Sequence, residues 1–526
     1  MESKKLSFNG KFVFRETLRH WPFIAAIAAV YLLTVTGLIG MFPYFDSSAE
    51  NVVGDVIRQL MDVSQAVSFF MSILVADFAF GYLGSKKSHY FYETLPMNRK
   101  SMFVNRFVFG YLLLFIPNFF IAVIEFIQIA FISGEAVIMP LVCWLLIIAA
   151  ENLFWLTFGT LFMVLCGRKL MAAFCYFAFA GLGFMIKLTF AALNSAMFIG
   201  FESSFSDGVI IDLGILSPFE FIYKMDYVSD QNFFSISEYY GAGRLVTVFV
   251  AFAILLVITY ILYNKRKAEK TGDTIVFPFM KYVFSWCFAF VFSVEFVFLT
   301  LGLFFYENDG MAHITSIRIF VVIMMIVFSF IGYMISCMII NKKLNVFKNH
   351  LKPSLVCAGV LALFIGLYMH DIFGYEKFVP EVQEVASVRV MGAQFNNDLS
   401  YFDHNEKKKV STKEKETVVK LQQIIIDNFD EVIENYKGIQ KEEFDYVDPS
   451  HNKKYDHYVN VNENMVYIDF ILSNDKHVYR DYYIKPSGKL YEELKAFVNE
   501  NSDVFKPGDA QKNYYFENAK LDEDIK

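Results

Sequence analysis

The chain has 526 residues, of which 56% are hydrophobic, 18% aromatic and only 19% charged. Soluble domains carry roughly a quarter charged residues, and their apolar side chains need a polar exterior to cover them. This composition therefore excludes both an ordinary soluble enzyme and a disordered chain. The net charge of −7 is unevenly spread. Residues 371–526 hold 31 acids against 21 bases, a net of −10, and the rest of the chain holds 23 against 26, a net of +3. Neither part has the basic surplus that nucleic-acid binding requires.

A helix needs roughly 20 apolar residues to cross a bilayer core. In chain order, such runs are Trp21–Phe42, Ser64–Leu83, Phe107–Ile132, Ile138–Cys166, Leu170–Phe190, Leu245–Tyr263, Tyr282–Phe305, Ile317–Ile340 and the shorter Pro353–Met369. Nine spans are predicted. Leu188–Gly200 reads as a short re-entrant helix after the fifth. The first run is too long, and too poor in small residues, for a removable signal peptide.

Of the 26 bases before residue 371, 21 fall on one side of these spans. They cluster at Lys4–Arg19, Lys86–Arg106, Arg168–Lys169, Lys265–Lys281 and Lys342–Lys352. The alternate loops (43–63, 133–137, 201–240 and 306–316) carry 14 acids and two bases, Arg58 and Lys224. By the positive-inside rule the N-terminus is cytoplasmic, and nine spans put residues 371–526 outside the cell. Membrane lipid is therefore one expected partner.

All six cysteines lie in or beside spans and none lies after residue 370, so no disulfide framework is expected in the last domain. No Cys/His pattern suggests a metal. Phosphate-loop, dinucleotide, zinc-protease and nucleophile-elbow motifs are all absent from the sequence. Ionisable residues inside spans are the default functional candidates, here Asp77, Glu125, Glu151, Lys187 and Glu295, with Asn152 beside Glu151. They serve either as relay carboxylates or as interhelical hydrogen-bonding groups, and Glu151 and Glu295 are the deepest.

The connection Gly84–Arg106, GSKKSHYFYETLPMNRKSMFVNR, carries more information. Pro96 ends one segment, and Met97–Val104 is predicted as a short helix on the membrane surface. The stretch YETLPMNRKSMFVNR resembles the LP-x-x-R-x-x-x-F segment of ABC-2-type transporter permeases, matched at Leu95, Pro96, Arg99 and Phe103 beside Lys100. After the sixth span, KRKAEKTGDTIVF resembles the R-x-x-E-x-A-G-D-x-I-x-F connection of a Firmicutes-type branch of these permeases. The matches there are Glu269, Gly272, Asp273 and Phe277, with Thr271 departing from the pattern. Leu216–Phe219, Gly374–Val390 and Phe470–Ile484 also look like segments of such permeases.

The resemblance implies a six-helix permease unit over 1–263. A connection with three further helices follows over 264–370, and an extracytoplasmic α+β domain over 371–526. It implies ATPase coupling through Leu95, Pro96, Arg99, Lys100, Phe103, Glu269, Gly272 and Asp273. It also implies a separate ABC ATPase subunit holding ATP and Mg, a second permease subunit as homo- or heterodimer, and no catalysis or cofactor on this chain. Export of an antimicrobial peptide, a lipid or a cell-wall intermediate across a bacterial plasma membrane is the activity the resemblance implies. A membrane enzyme acting on a lipid-linked substrate and an ion-coupled carrier or sensor are the alternatives.

In the last domain, Val385–Phe395 reads as a strand and Ser411–Lys437 as a helix with a Ser411/Glu414 capping box. Met465–Leu472 and His477–Ile484 read as a hairpin, and Lys489–Val498 as a second helix. Tyr467, Tyr479, Tyr482 and Tyr483 are divided by alternation between a core face and a binding face.

Overall fold

The computed structural model describes residues 9–34, 49–94, 97–133, 138–201, 218, 241–305, 314–371, 374, 376–392, 411–435, 465–473, 477–485, 488–501 and 504–505. Its helices are α1 (Gly10–Arg19), α2 (Trp21–Thr34), α3 (Ala49–Phe80), α4 (Lys86–Thr94), α5 (Arg99–Ser133), α6 (Met139–Leu165), α7 (Lys169–Met197), α8 (Gly241–Lys265), α9 (Pro278–Phe305), α10 (Ile314–Asn341) and α11 (Phe347–Met369). Strand β1 (Val385–Gly392), helix α12 (Thr412–Asp427), strands β2 (Met465–Leu472) and β3 (His477–Tyr483) and helix α13 (Lys489–Glu500) follow. Eight described helices are long and apolar enough to cross a membrane, so this is a polytopic helical protein of the membrane type with a small sheet in its C-terminal region. For the first predicted span, the described part is the 14-residue α2; residues 35–42 of that run lie outside the described residues.

Two sequence expectations change. Arg99 opens α5, which runs unbroken to Ser133, so Met97–Val104 is not a separate helix; the short helix of this connection is α4. Leu188–Gly200 is not re-entrant either, because α7 continues to Met197 without a break. With no proline or glycine between Phe190 and Met197, the backbone keeps its i→i−4 ladder.

The chain forms two compact units, divided within α7, α9 and α10: 1–184, 213–287 and 336–346 make one; 185–212, 288–335 and 347–526 the other. In the first, α3 and α6 pack closely at Gly159, where an added Cβ would stand 3.1 Å from the Ala76 Cβ. Phe69 meets Trp155 edge-on and Tyr176 in a stacked pair, while the Tyr176 hydroxyl donates to the Phe69 carbonyl at 2.8 Å. In the second, Gly332 of α10 lets α9 approach, with the Ala289 Cα 3.1 Å from the space a Cβ would take. Phe190 of α7 packs edge-on against Phe364 and Tyr368 of α11.

The C-terminal sheet is antiparallel, in the order β1-β2-β3. One face presents Val388 and Val390, then Val466, Ile468 and Phe470, then Val478 and Tyr482, all buried with α12 and α13 through Val418, Leu421, Ile425, Leu490 and Leu494. The capping box opens α12: Ser411 Oγ accepts from the Glu414 N–H at 3.2 Å, and Glu414 Oε2 accepts from the Ser411 N–H at 2.6 Å. The predicted Ser411–Lys437 helix is interrupted by a turn at Asn428, and a second helical stretch covers 429–435.

The segment that follows α7 completes this core. Ile199 belongs to it, and its N–H donates to Glu376 Oε1 at 3.1 Å. Gly200 has φ +84°, and a Cβ there would stand 2.4 Å from the Tyr482 ring, so only glycine fits. Phe201 lies under the Arg480 guanidinium, 4.2 Å from ring centroid to Cζ. Burial lowers the Arg480 pKa, pushes the Tyr482 phenol up to about 12 and raises the Glu376 carboxyl.

A candidate coupling site at one end of the first unit

The two connections singled out in the sequence, Gly84–Arg106 and Lys265–Phe277, meet at one end of the first unit. Arg266, just past α8, is 2% exposed. Its Nη1 donates to the carbonyls of Met163, Val164 and Cys166 at 2.8, 2.6 and 2.9 Å, and its Nη2 to that of Leu83 at 2.7 Å. One guanidinium thus caps the C-terminal end of α6 and ties it to the turn that ends the α3 span, where the helix dipole favours a cation. Burial lowers its pKa to about 10, so it stays charged at neutral pH.

Arg99 donates to the Arg266 carbonyl at 3.2 Å and pairs with Glu93 of α4 through its other amino group. His89 of α4 is buried, with Nδ1 2.7 Å from Thr271 Oγ1 and Nε2 3.5 Å from Glu93. Burial lowers the His89 pKa, against the pull of Glu93. Tyr82 and Tyr263, in the last turns of two spans, join hydroxyls at 2.8 Å. Phe103 is buried against Phe80, Phe107, Tyr260 and Tyr263. These groups enclose a cavity of about 220 Å³ lined by Tyr82, Leu83, His89, Tyr92, Glu93, Met97, Arg99, Met102, Tyr263 and Arg266.

The connection after α8 is held as tightly. Gly272 has φ +97°; its N–H donates to the Gly167 carbonyl at 3.0 Å, and its own carbonyl accepts from Lys342 Nζ at 2.7 Å and Arg168 Nε at 3.3 Å. A Cβ on Gly167 would meet the Asp273 carbonyl at 2.3 Å, so glycine at 167 lets the chains after α6 and α8 pair across Cys166 and Ile275. The Gly-Asp step at 272–273 is therefore a turn with a left-handed first residue, crossed by basic side chains from two other connections. Glu269 and Lys100 are exposed at this end, Asp273 is half-buried, and Leu95 and Pro96 lie outside the described residues.

The intramembrane candidates separate. Glu151 accepts from Gln65 at 3.3 Å and Asn152 from Ser68 at 2.9 Å, while Trp144 donates to Ser64 at 3.1 Å, so this is a buried polar seam between α3 and α6. Asp77 pairs with Lys169 at 2.8 Å. Glu125 is fully buried, and neither carboxylate oxygen has a hydrogen-bond partner among the described residues. Lys187 is half-buried on α7. Glu295, read as one of the deepest, is exposed on α9, because the buried side of that helix is taken by Ser293, Val294 and Val297. Within the first unit, Glu151 and Asn152 share one seam while Asp77 is held by a different partner, Lys169.

Sequence reasoning passed over His89, Tyr82, Tyr263 and Gly167, and it counted Arg266 only as flanking charge. The available signals were an arginine immediately after a span and two tyrosines in the last turns of two spans. Among the described residues, no His, Cys, Asp or Glu cluster is arranged to hold a metal. Comparison of the chain with family models, with curated proteins and with solved structures gives no match.

Proposed function

We propose that this chain is the membrane-spanning subunit of an ATP-driven transporter, acting as an exporter. In this reading α4 and the 265–277 connection form the surface that receives a separate ATPase. One observation carries the reading: two connections far apart in sequence, each chosen for its resemblance to a permease segment, are locked into one surface by His89–Thr271, Arg99–Arg266 and Arg266–Leu83. On these two elements Tyr90 and Phe91 are 52% and 62% exposed, and Lys86, Lys87, Lys267 and Lys270 are exposed as well. Exposed aromatics accompanied by exposed bases suit a partner that buries aromatics and presents acids.

The charge asymmetry of the loops assigns this end to the cytoplasm, where ATP is available. The C-terminal α+β region then lies outside, and a pair of such subunits matches a pair of ATPases. The test is site-specific photocrosslinking in native membranes from Tyr90 and from Lys267, with Leu299, exposed on a span, as control. Adducts from the first two positions that take up a photoreactive ATP analogue, with none from Leu299, are expected. If neither position yields an ATP-binding adduct, the proposal fails.

A further inference from the structure

We propose that the cavity between α4, the first turn of α5 and the last turn of α8 binds a phosphate oxyanion, supplied by the headgroup of an anionic lipid or by phosphate from solution. The inference starts from hydrogen-bond accounting. Tyr82 and Tyr263 share one proton across 2.8 Å, which leaves the other hydroxyl proton to donate. The Tyr92 hydroxyl accepts from Arg106 Nη2 at 2.9 Å, so its own proton is also available. Arg99 uses Nη1 on the Arg266 carbonyl and Nη2 on Glu93, and a guanidinium carries further N–H groups beyond these.

Against these donors stands, among the described lining residues, a single carboxylate, Glu93, already engaged by Arg99 and close to His89. The wall is rich in donors and carries two arginines against one acid, so its complement is an anion with several acceptor oxygens. Donors arrive from three elements, which suits the tetrahedral oxygens of phosphate better than the flat pair of a carboxylate. Depth favours the lipid. Tyr82 and Tyr263 sit in the terminal turns of the Leu60–Gly84 and Val246–Lys265 spans, the level at which headgroups lie.

The test reads binding, so its failure is separate from that of the ATPase proposal. The full chain in detergent is titrated with dioleoylphosphatidylglycerol, with dioleoylglycerol, which lacks the phosphate, and with sodium phosphate, and bound species are counted by native mass spectrometry. Wild type is expected to retain the phospholipid and not the diacylglycerol. Arg99→Gln, at a half-exposed side chain, weakens binding by about tenfold, and Tyr92→Phe, which removes one hydroxyl, by about fivefold. Retention of the phospholipid in millimolar phosphate assigns the site to lipid, and its displacement assigns the site to the free anion. Equal binding by wild type and both variants overturns the proposal, as does equal retention of the diacylglycerol. Binding of neither phospholipid nor phosphate also overturns it and leaves the cavity to an acidic side chain of a partner.

Discussion

Replacing Arg266 by Met is the sharpest perturbation of the candidate coupling site. The guanidinium makes four hydrogen bonds of 2.6–2.9 Å to carbonyls contributed by the end of α6 and by Leu83. Charge-assisted bonds are worth about 1.5–3 kcal/mol each in isolation, but burying the guanidinium costs several kcal/mol in return. Methionine fills much of the volume and leaves four carbonyls with no donor in a 2% exposed position. The net loss is about 3–5 kcal/mol, the range found when one partner of a buried charged network is removed.

For a unit of this size, that corresponds to a fall of roughly 8–15 °C in Tm. Arg266→Lys keeps the charge but brings three donors on one atom, and about half of that loss is expected. Thermal unfolding of the full chain in detergent measures the loss. Hydrogen exchange over Lys86–Thr94 and 271–276 locates it. A Met variant within about 2 °C of wild type, with unchanged exchange in both segments, would show that the four contacts do not hold this surface together.

His89 supplies a pH dependence. Its pKa is lowered by burial, with Glu93 opposing and Arg266 and Arg99 adding to the shift, and Thr271 bound at Nδ1. The unfolded chain therefore takes up the proton first as pH falls. The stability contribution is complete above the ordinary histidine value of about 6.5 and shrinks below it. Protection factors in Lys86–Thr94, corrected for the intrinsic pH dependence of exchange, should fall between about pH 7 and pH 5.5 in wild type and lose that dependence in His89→Asn; the same corrected pH slope in both would count against the assignment. Gly200→Val forces a β-branched residue into φ +84° and drives a Cβ against the Tyr482 ring. The left-handed backbone and the overpacking together cost about 3 kcal/mol, and limited proteolysis of the full chain should cut the C-terminal α+β region faster. A variant as resistant as wild type would show that the 198–201 segment is not part of that core.

Much of the architecture is legible from periodicity alone. Eight of the nine apolar runs become span-length helices, because in lipid a backbone with no polar alternative must close its own hydrogen bonds. The hairpin and the capping box are likewise local: Met465–Leu472 alternates and Ser411 sits three residues before Glu414, so neither needs distant contacts to be recognised. Burial on a helix face is different. Glu295 looks as deep as Glu151 in the sequence, yet one is exposed and the other buried against Gln65, since neighbouring helices decide which side of a uniformly apolar helix is covered.

The candidate coupling site lies at the same boundary between local and distant information. Sequence separately marks Gly84–Arg106 and Lys265–Phe277 as basic connections, and nothing local joins them. His89 and Thr271 are 182 positions apart, and Arg266 caps carbonyls about 100 and 183 positions away. Composition and hydropathy determine that this chain is built of apolar spans, with basic residues concentrated in alternate connections and an acidic α+β region at its end, because those properties depend only on residue type and period. Only the tertiary structure decides that a guanidinium after α8 closes the end of α6, and that Gly200 admits the end of α7 into the sheet's core. Capping and close approach depend on where distant backbone carbonyls and rings come to rest, and no window of sequence contains both partners.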